Sequence, residues 1–161
     1  MKARWIRIGR VDPIEFETLT THLALAQGSE SQPVLAWGED EMHYHFALIA
    51  PRRLAPGRSS RWGAWGLAPA VAAYRQFGVG AYFEQEGIWL HGRCIGEARV
   101  EAIGACALIA STFLATFPAN CVITPSALIE DALRRRLEAQ HGWQFDHSWP
   151  SALERLEKIV A

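Results

Sequence analysis

The chain has 161 residues, 50% of them hydrophobic, and a formal net charge of −1. This length predicts a single domain, and the near-neutral charge gives no reason to expect nucleic acid or a membrane surface as a partner. Its lysines are Lys2 and Lys158, near the two ends of the sequence, which argues against any mechanism that needs a central lysine.

The first half of the sequence predicts strands, a capped helix and a loop. Alternating apolar and basic residues in "ARWIRIG" predict a first strand. Asp12 before Pro13, with Glu15 three residues after the cap, predicts the start of a helix. "VLAW" and "MHYHFALIA" predict two more strands, separated by "GEDE". The segment "PRRLAPGRSSRWG" predicts a loop, followed by a helix from Leu67 to Phe77.

The second half is dense in strands, predicted over "GAYFEQ", "GIWLH", "RCIGEARVEA" and "ACALIASTFLA". His91 and Gly92 predict a tight turn between the middle two. Thr124 and Pro125 predict the start of another helix, and a last amphipathic helix is predicted from Ser148. The order predicts an α+β fold, in which helices pack on a mainly antiparallel sheet.

Three segments also carry a resemblance to a known family: "MHYHFALIAPRRL", "AVAAYRQFGVGAYFEQEGIWLHGRCIG" and "GACALIASTFL". They are similar to a strand that ends in an arginine pair, to a helix and hairpin that end in "Gly-Arg-Lys-Ile", and to the segment that carries a catalytic cysteine. These are features of the lipoate/octanoate transferase branch of the biotin and lipoate protein ligase superfamily. The resemblance implies a ligase-like catalytic domain of reduced size, with Arg52 and Arg53 at the arginine pair and Cys106 at the nucleophile position.

Two departures accompany this resemblance. Cys94 in "GRCIG" stands where the family has the lysine that binds the acyl carbonyl, and Cys106 follows it at the family's interval of twelve residues. Only four residues separate Trp37 from Met42, so the family's glycine-rich "Arg-Arg-x-Gly-Gly-Gly" loop is missing. The departures imply a degenerate member without a cofactor, which serves as a binding or scaffold protein for an acyl-type ligand or for an acyl or lipoyl carrier protein.

Two alternatives stay open. The first is a reduced octanoyl or lipoyl transferase that carries a thioester on Cys106, and the second is a subunit that completes a site with a partner chain. His43 and His45 are two residues apart on a predicted strand and therefore share a face, so either could replace the lost lysine as a base. Their spacing also suits a metal pair, but a third ligand is not evident and no metal is expected.

The cysteines have a plainer interpretation as well. The sequence lacks the features of a signal peptide, which predicts a cytoplasmic protein with free thiols. Cys106 is flanked by small apolar residues, as expected for a buried core thiol. Cys94 is expected near Cys106, so that a disulfide or thiol pair would be geometrically feasible, whereas Cys121 has no partner motif.

The arginine-rich loop is the strongest candidate for a ligand or partner contact. Arg52, Arg53 and Arg61, with Trp62 and Trp65, could bind a phosphate, a carboxylate or the acidic surface of a carrier protein. The competing interpretation is that the two tryptophans cap the core.

Overall fold

The computed structural model describes residues 1–114 and 126–145. Its strands are β1 (Lys2–Arg10), β2 (Val34–Glu39), β3 (His43–Pro51), β4 (Tyr82–Glu84), β5 (Gly87–Leu90), β6 (Arg93–Ile103), β7 (Cys106–Leu114) and β8 (Gln144–Phe145). The helices of this part are α1 (Pro13–Leu25), α2 (Trp62–Gln76) and α3 (Ser126–His141). The predictions for Cys121, Thr124, Pro125 and the helix from Ser148 lie outside the described residues.

The eight strands form one sheet in the order β4-β5-β6-β7-β3-β2-β1-β8. Neighbouring strands are antiparallel except at β1, which pairs in parallel with β2 and with β8. The predicted α+β fold with a mainly antiparallel sheet is therefore confirmed.

The predicted start of the first helix is also confirmed. The Asp12 carboxylate accepts a hydrogen bond from the backbone N–H of Glu15 at 2.8 Å, and Pro13 occupies the first turn. This cap fixes the direction in which α1 leaves β1, and the helix lays Phe16, Leu23 and Ala24 on one face of the sheet.

Each face of the sheet has its own apolar core. Helix α1 covers alternate residues of the central strands, which are Ala36, Ala47, Ile49, Cys106, Leu108 and Ala110. Helices α2 and α3 cover the opposite face, where Leu35, Trp37, Phe46, Leu48, Ala107 and Ile109 are buried. This period-two division explains why the central strands are apolar on both sides.

Helix α2 begins at Trp62, five residues before the predicted Leu67, so that part of the prediction is wrong. The reason lies in the glycines Gly63 and Gly66, which have low helix propensity but occupy the first turns of α2. A Cβ on Gly66 would lie 2.6 Å from Ile109 Cγ2 on β7, so the glycine lets the helix approach the sheet closely. Trp62 and Trp65 are consequently helix residues rather than loop residues.

Two short turns organise the strand-dense region. His91 (φ 50°) and Gly92 (φ 76°) connect β5 to β6, which confirms the predicted turn and matches the positive φ angles of a type I′ hairpin. Gly104 (φ 56°) and Ala105 connect β6 to β7, closed by the Ile103–Cys106 pair. No helix among the described residues is both long and apolar enough to cross a membrane.

Candidate functional site

The predicted site residues do not form one cluster. Arg52, Arg53 and Cys106 lie together at the end of β3 and the start of β7. His43 and His45 lie at the opposite end of the same two strands.

Cys106 lies in the α1-side core with none of its surface exposed. Burial raises the pKa of its thiol, and the positive charge of Arg52 offsets this only in part. Arg52 Nη2 donates to the Gly104 carbonyl at 2.7 Å, and Arg53 Nε donates to the Ser29 carbonyl at 3.0 Å. Arg52 therefore holds the β6–β7 turn and Arg53 holds the segment between α1 and β2, while Cys106 is a protonated core thiol and not an activated nucleophile.

Cys94 lies on the strand next to Cys106, as predicted, but the two are not close. Cys94 is near the start of β6 and Cys106 is at the start of β7, so the hairpin carries them to opposite ends. Cys94 is nine residue steps along β6 from Ile103, the partner of Cys106, which corresponds to about 30 Å. The expected proximity of the two thiols is therefore wrong, because an antiparallel hairpin separates the starts of its two strands.

The histidines are likewise distant from Cys106. Cys106 pairs with Pro51 and Thr112 pairs with His45 across β3 and β7. These two positions are six residue steps apart along the strand, or about 20 Å. The structure does not bring either histidine within hydrogen-bonding distance of the thiol.

His45 instead joins two residues that the sequence interpretation did not select. Its Nε2 lies 2.8 Å from Asp40 Oδ2, and its Nδ1 lies 2.9 Å from Thr112 Oγ1. The ring is fully buried and stacks on Phe16 with 5.3 Å between centroids. Asp40 Oδ1 accepts from the backbone N–H groups of Met42 (2.8 Å) and His43 (2.9 Å), which fixes the carboxylate in the turn between β2 and β3.

Electrostatics define the protonation state of this triad. Burial lowers the pKa of His45, although hydrogen bonding to Asp40 opposes the shift. Burial alone would raise the pKa of Asp40, but the hydrogen bonds from Met42, His45 and His43 outweigh it and lower that pKa. A neutral imidazole beside an ionised carboxylate carries its proton on Nε2, which leaves Nδ1 to accept the Thr112 hydroxyl hydrogen.

Thr112 opens into a groove between α1 and the β6–β7 hairpin, here called the α1 groove. It encloses about 300 Å³ and is lined by Pro13, Phe16, Thr20, Glu97, Arg99 and Thr112, among others.

Asp40 precedes His43 by three residues, so the sequence places it near the histidines. Thr112 is 67 residues beyond His45, and only the pairing of β3 with β7 brings them together.

The two tryptophans point inward rather than to a ligand. Trp62 is 6% exposed and its Nε1 donates to the Pro56 carbonyl at 2.7 Å. The ring of Trp65 stacks on His141 of α3 at 4.5 Å between centroids. Arg61 is exposed at the start of α2. The predicted contact surface is thus divided, because its tryptophans pack against other elements.

A further surface lies along β6, here called the open edge and comprising residues 99–103. Strand β5 pairs with β6 only as far as Glu97, and Ala98 N donates to the Glu86 carbonyl at 3.1 Å. Beyond that point, no described strand pairs with this side of β6. A groove of about 570 Å³ runs beside the open edge, here called the edge groove and lined by Ser59, Ser60, Trp62, Ala98, Val100 and Ala102, among others.

No family model and no curated protein matches the sequence. Solved structures do match. A bipartite lipoate protein ligase from Thermoplasma acidophilum, in a study that includes its E2 lipoyl domain, aligns with a TM-score of 0.75 at 9% identity, over 99% of this chain and 92% of that one. A lipoate-protein ligase A bound with ATP gives a TM-score of 0.75 at 10% identity, over 99% and 94%.

The biotin-specific branch matches less closely. Biotin protein ligase from Leishmania major, in complex with biotinyl-5-AMP, aligns with a TM-score of 0.57 at 11% identity, over 98% of this chain and 81% of that one. The chain has the fold of the lipoate and biotin protein ligases. At these identities the likeness establishes a ligase-type fold, which confirms that part of the resemblance, and leaves the chemistry to be argued from the residues.

Proposed function

We propose that this ligase-type chain is a binding protein that holds an acyl or lipoyl carrier domain at the open edge of β6 and does not itself activate the acyl group. The observation that carries the proposal is the stretch 99–103, which pairs with β7 on one side and with no described strand on the side that adjoins the edge groove. A similar fold occurs in the Thermoplasma acidophilum lipoate protein ligase studied with its E2 lipoyl domain, which supports a carrier domain as the partner.

The open edge has backbone groups directed toward a partner. Ala98 N points away from β7, since it donates to Glu86. Because successive residues of a strand alternate in direction, the N–H and C=O groups of Val100 and Ala102 point the same way. An extended segment can therefore add to β6 as a new antiparallel or parallel strand.

The edge groove supplies side-chain contacts for such a strand. Val100, with Ala98 and Ala102 on the same face, provides apolar surface above the buried Trp62, and the exposed Ser59 and Ser60 provide hydroxyl groups. On the opposite face of the edge, Arg99 and Glu101 form an ion pair at 2.6 Å. Main-chain hydrogen bonds to β6 would give the affinity. The difference between the apolar face of the edge and the face that carries Arg99 and Glu101 would determine the register of the incoming strand and which of its faces meets each side.

Two cysteines lack the properties needed to activate an acyl group. Cys94 at the family's lysine position carries no positive charge with which to polarise an acyl carbonyl. Cys106 is a buried thiol whose pKa is raised by burial. Adenylation of lipoate, octanoate or biotin is therefore not expected, and the transferase that uses Cys106 has no observation in its favour.

Val100→Pro is the sharpest test of strand addition. The substitution removes an N–H that points to the open edge, so the β6–β7 hydrogen bonds are retained. Calorimetric titration with an apo-lipoyl domain and, separately, with an octanoyl acyl carrier protein should show binding by the natural chain to one of them. We expect Val100→Pro to weaken binding by about tenfold or more, the loss of one to two main-chain bonds.

Val100→Thr is the matched control, since it keeps the N–H and the shape of the side chain, and we expect about the natural affinity. Binding of neither carrier, or equal binding by Val100→Pro, would contradict the proposed surface. A second assay measures acyl-adenylate formed from ATP and lipoate, octanoate or biotin, and its detection would contradict the assignment as a non-ligase.

A further inference from the structure

We propose that Thr112, His45 and Asp40 form an acyl-transfer site in which the Thr112 hydroxyl accepts an acyl group from a thioester or activated ester bound in the α1 groove. The inference does not depend on the carrier-binding function, because the α1 groove and the edge groove lie on opposite faces of β6. The proposed site contains His45, one of the two histidines selected from the sequence, with the Thr112 hydroxyl in place of the Cys106 thiol.

The base and its orienting group are already in position. Asp40 is held by two backbone N–H groups, and its second oxygen lies 2.8 Å from His45 Nε2. The imidazole is thereby fixed in one tautomer with Nδ1 as the acceptor. Asp40 is a positioning residue, which would also stabilise the imidazolium formed when His45 takes a proton.

The nucleophile is held with similar rigidity. Thr112 lies on β7 between the paired strands β3 and β6, and its Oγ1 is 2.9 Å from His45 Nδ1. This is the distance expected between a nucleophile and its general base. Thr112 is half-buried and faces the α1 groove, so the hydroxyl is supported from one side and accessible from the other.

The α1 groove fits a neutral acyl compound better than a free acid. Phe16 and Pro13 give it an apolar wall, and a volume of about 300 Å³ limits the acyl chain to short or medium length. Glu17 and Glu97 place negative charge at its rim, which disfavours a carboxylate ligand. Arg99 lines the same groove and donates to the Thr21 hydroxyl at 2.8 Å; its guanidinium also pairs with Glu101 at 2.6 Å, so a developing oxyanion would share this positive charge with the Glu101 carboxylate.

The proposed step is balanced without a further reagent. Thr112 Oγ attacks the acyl carbonyl while its proton passes to His45 Nδ1. The tetrahedral intermediate then collapses and breaks the bond to the thiolate or alkoxide, which takes the proton from His45. The products are an acyl ester on Thr112 and a free thiol or alcohol. Attack of water on this ester, with His45 again as the base, would release the free acid and restore the Thr112 hydroxyl.

The full chain with p-nitrophenyl butyrate as the probe tests this directly. We expect a burst of p-nitrophenolate equivalent to about one acyl group per chain, and tandem mass spectrometry should locate the butyryl mass on Thr112. Thr112→Val removes the hydroxyl at constant shape, and the burst rate should fall by about 100-fold or more. Thr112→Ser should keep the burst, and Thr18→Val, an exposed threonine of α1 outside the α1 groove, should leave it unchanged.

Equal burst rates for the natural chain and Thr112→Val, or a butyryl group located elsewhere, would overturn the proposal. Thermal unfolding of each variant separates loss of the nucleophile from loss of the fold, and retained activity in Thr112→Ser excludes a packing effect.

Nitrogen-15 NMR of His45 gives a readout independent of activity: the proton should reside on Nε2 and redistribute between the two nitrogens in Asp40→Asn. A proton on Nδ1 in the natural chain would also overturn the proposal.

Discussion

At the scale of single residues, burial decides what each thiol can do. Cys106 is fully buried and its pKa is raised by burial, whereas Cys94 is half-buried on β6. Since only the thiolate attacks an electrophile, a raised pKa leaves little reactive Cys106 at neutral pH. Loss of solvent access slows it further.

Alkylation with iodoacetamide should therefore modify Cys94 in the folded protein and spare Cys106. At pH 7.5 we expect Cys106 to react at least about tenfold more slowly than Cys94 until urea unfolds the chain. Peptide mapping of the modified sites is the measurement, and Cys94→Ser serves as the control for the assignment. Rapid modification of Cys106, or an octanoyl adduct on it that hydroxylamine removes, would favour the thioester enzyme instead.

Part of the His45 site was open to prediction from the sequence and part was not. Strand periodicity correctly places His43 and His45 on one face, and Asp40 is close in the same turn. Thr112 comes from a distant strand, and its identity as the partner depends on the register of β3 with β7. Local patterns do not set that register, which explains why the sequence paired the histidines with Cys106.

At the scale of elements, α2 shows how a glycine and a proline can promote tertiary packing. Pro69 has no N–H to donate to the Trp65 carbonyl one turn earlier. His141 Nε2 of α3 lies 3.0 Å from that carbonyl and replaces the missing helical bond. The break in helical bonding at Pro69 thus joins α2 to α3, and Gly66 lets α2 pack closely against β7.

Gly66→Ala should destabilise the protein by about 1–3 kcal/mol, because the new methyl group meets the rigid Ile109 side chain of the core. Chemical denaturation measures the change. Combined with Ile109→Ala, it should cost less than the sum of the two single changes, since the truncated side chain makes room for the methyl. Gly80→Ala is the control, because its Cβ would meet nothing within 4 Å, and an equal loss there would refute the packing argument.

At the scale of the whole molecule, the buried His45 and the half-buried His141 lie on opposite faces of the sheet. His45 lies in the turn region under α1, and His141 packs between α2 and α3. Burial lowers the pKa of both, against the opposing effect of their hydrogen bonds. The unfolded chain then binds more protons than the folded one between the ordinary histidine pKa, about 6.5, and the lower folded values.

The sign of the linkage follows from that difference. The free energy of unfolding should fall as the pH drops below about 6.5, by up to about 1.4 kcal/mol per pH unit for each histidine. Urea titrations at pH 7.5, 6.5 and 5.5 measure the slope, which should decrease in His45→Gln and in His141→Asn. His22→Gln, at an exposed site on α1, should leave it unchanged. A constant stability over this pH range would contradict the argument.

The open edge of β6 also affects the tendency of the protein to associate with its own copies. An unpaired strand is a template for aggregation unless the fold protects it. The stretch 99–103 is centred on Glu101, whose carboxylate pairs with Arg99 at 2.6 Å. Two copies that paired symmetrically in antiparallel fashion would bring their Glu101 carboxylates together and would have to rearrange these ion pairs. We therefore expect pairing between two copies to be disfavoured, whereas a strand of different sequence can still add to the open edge.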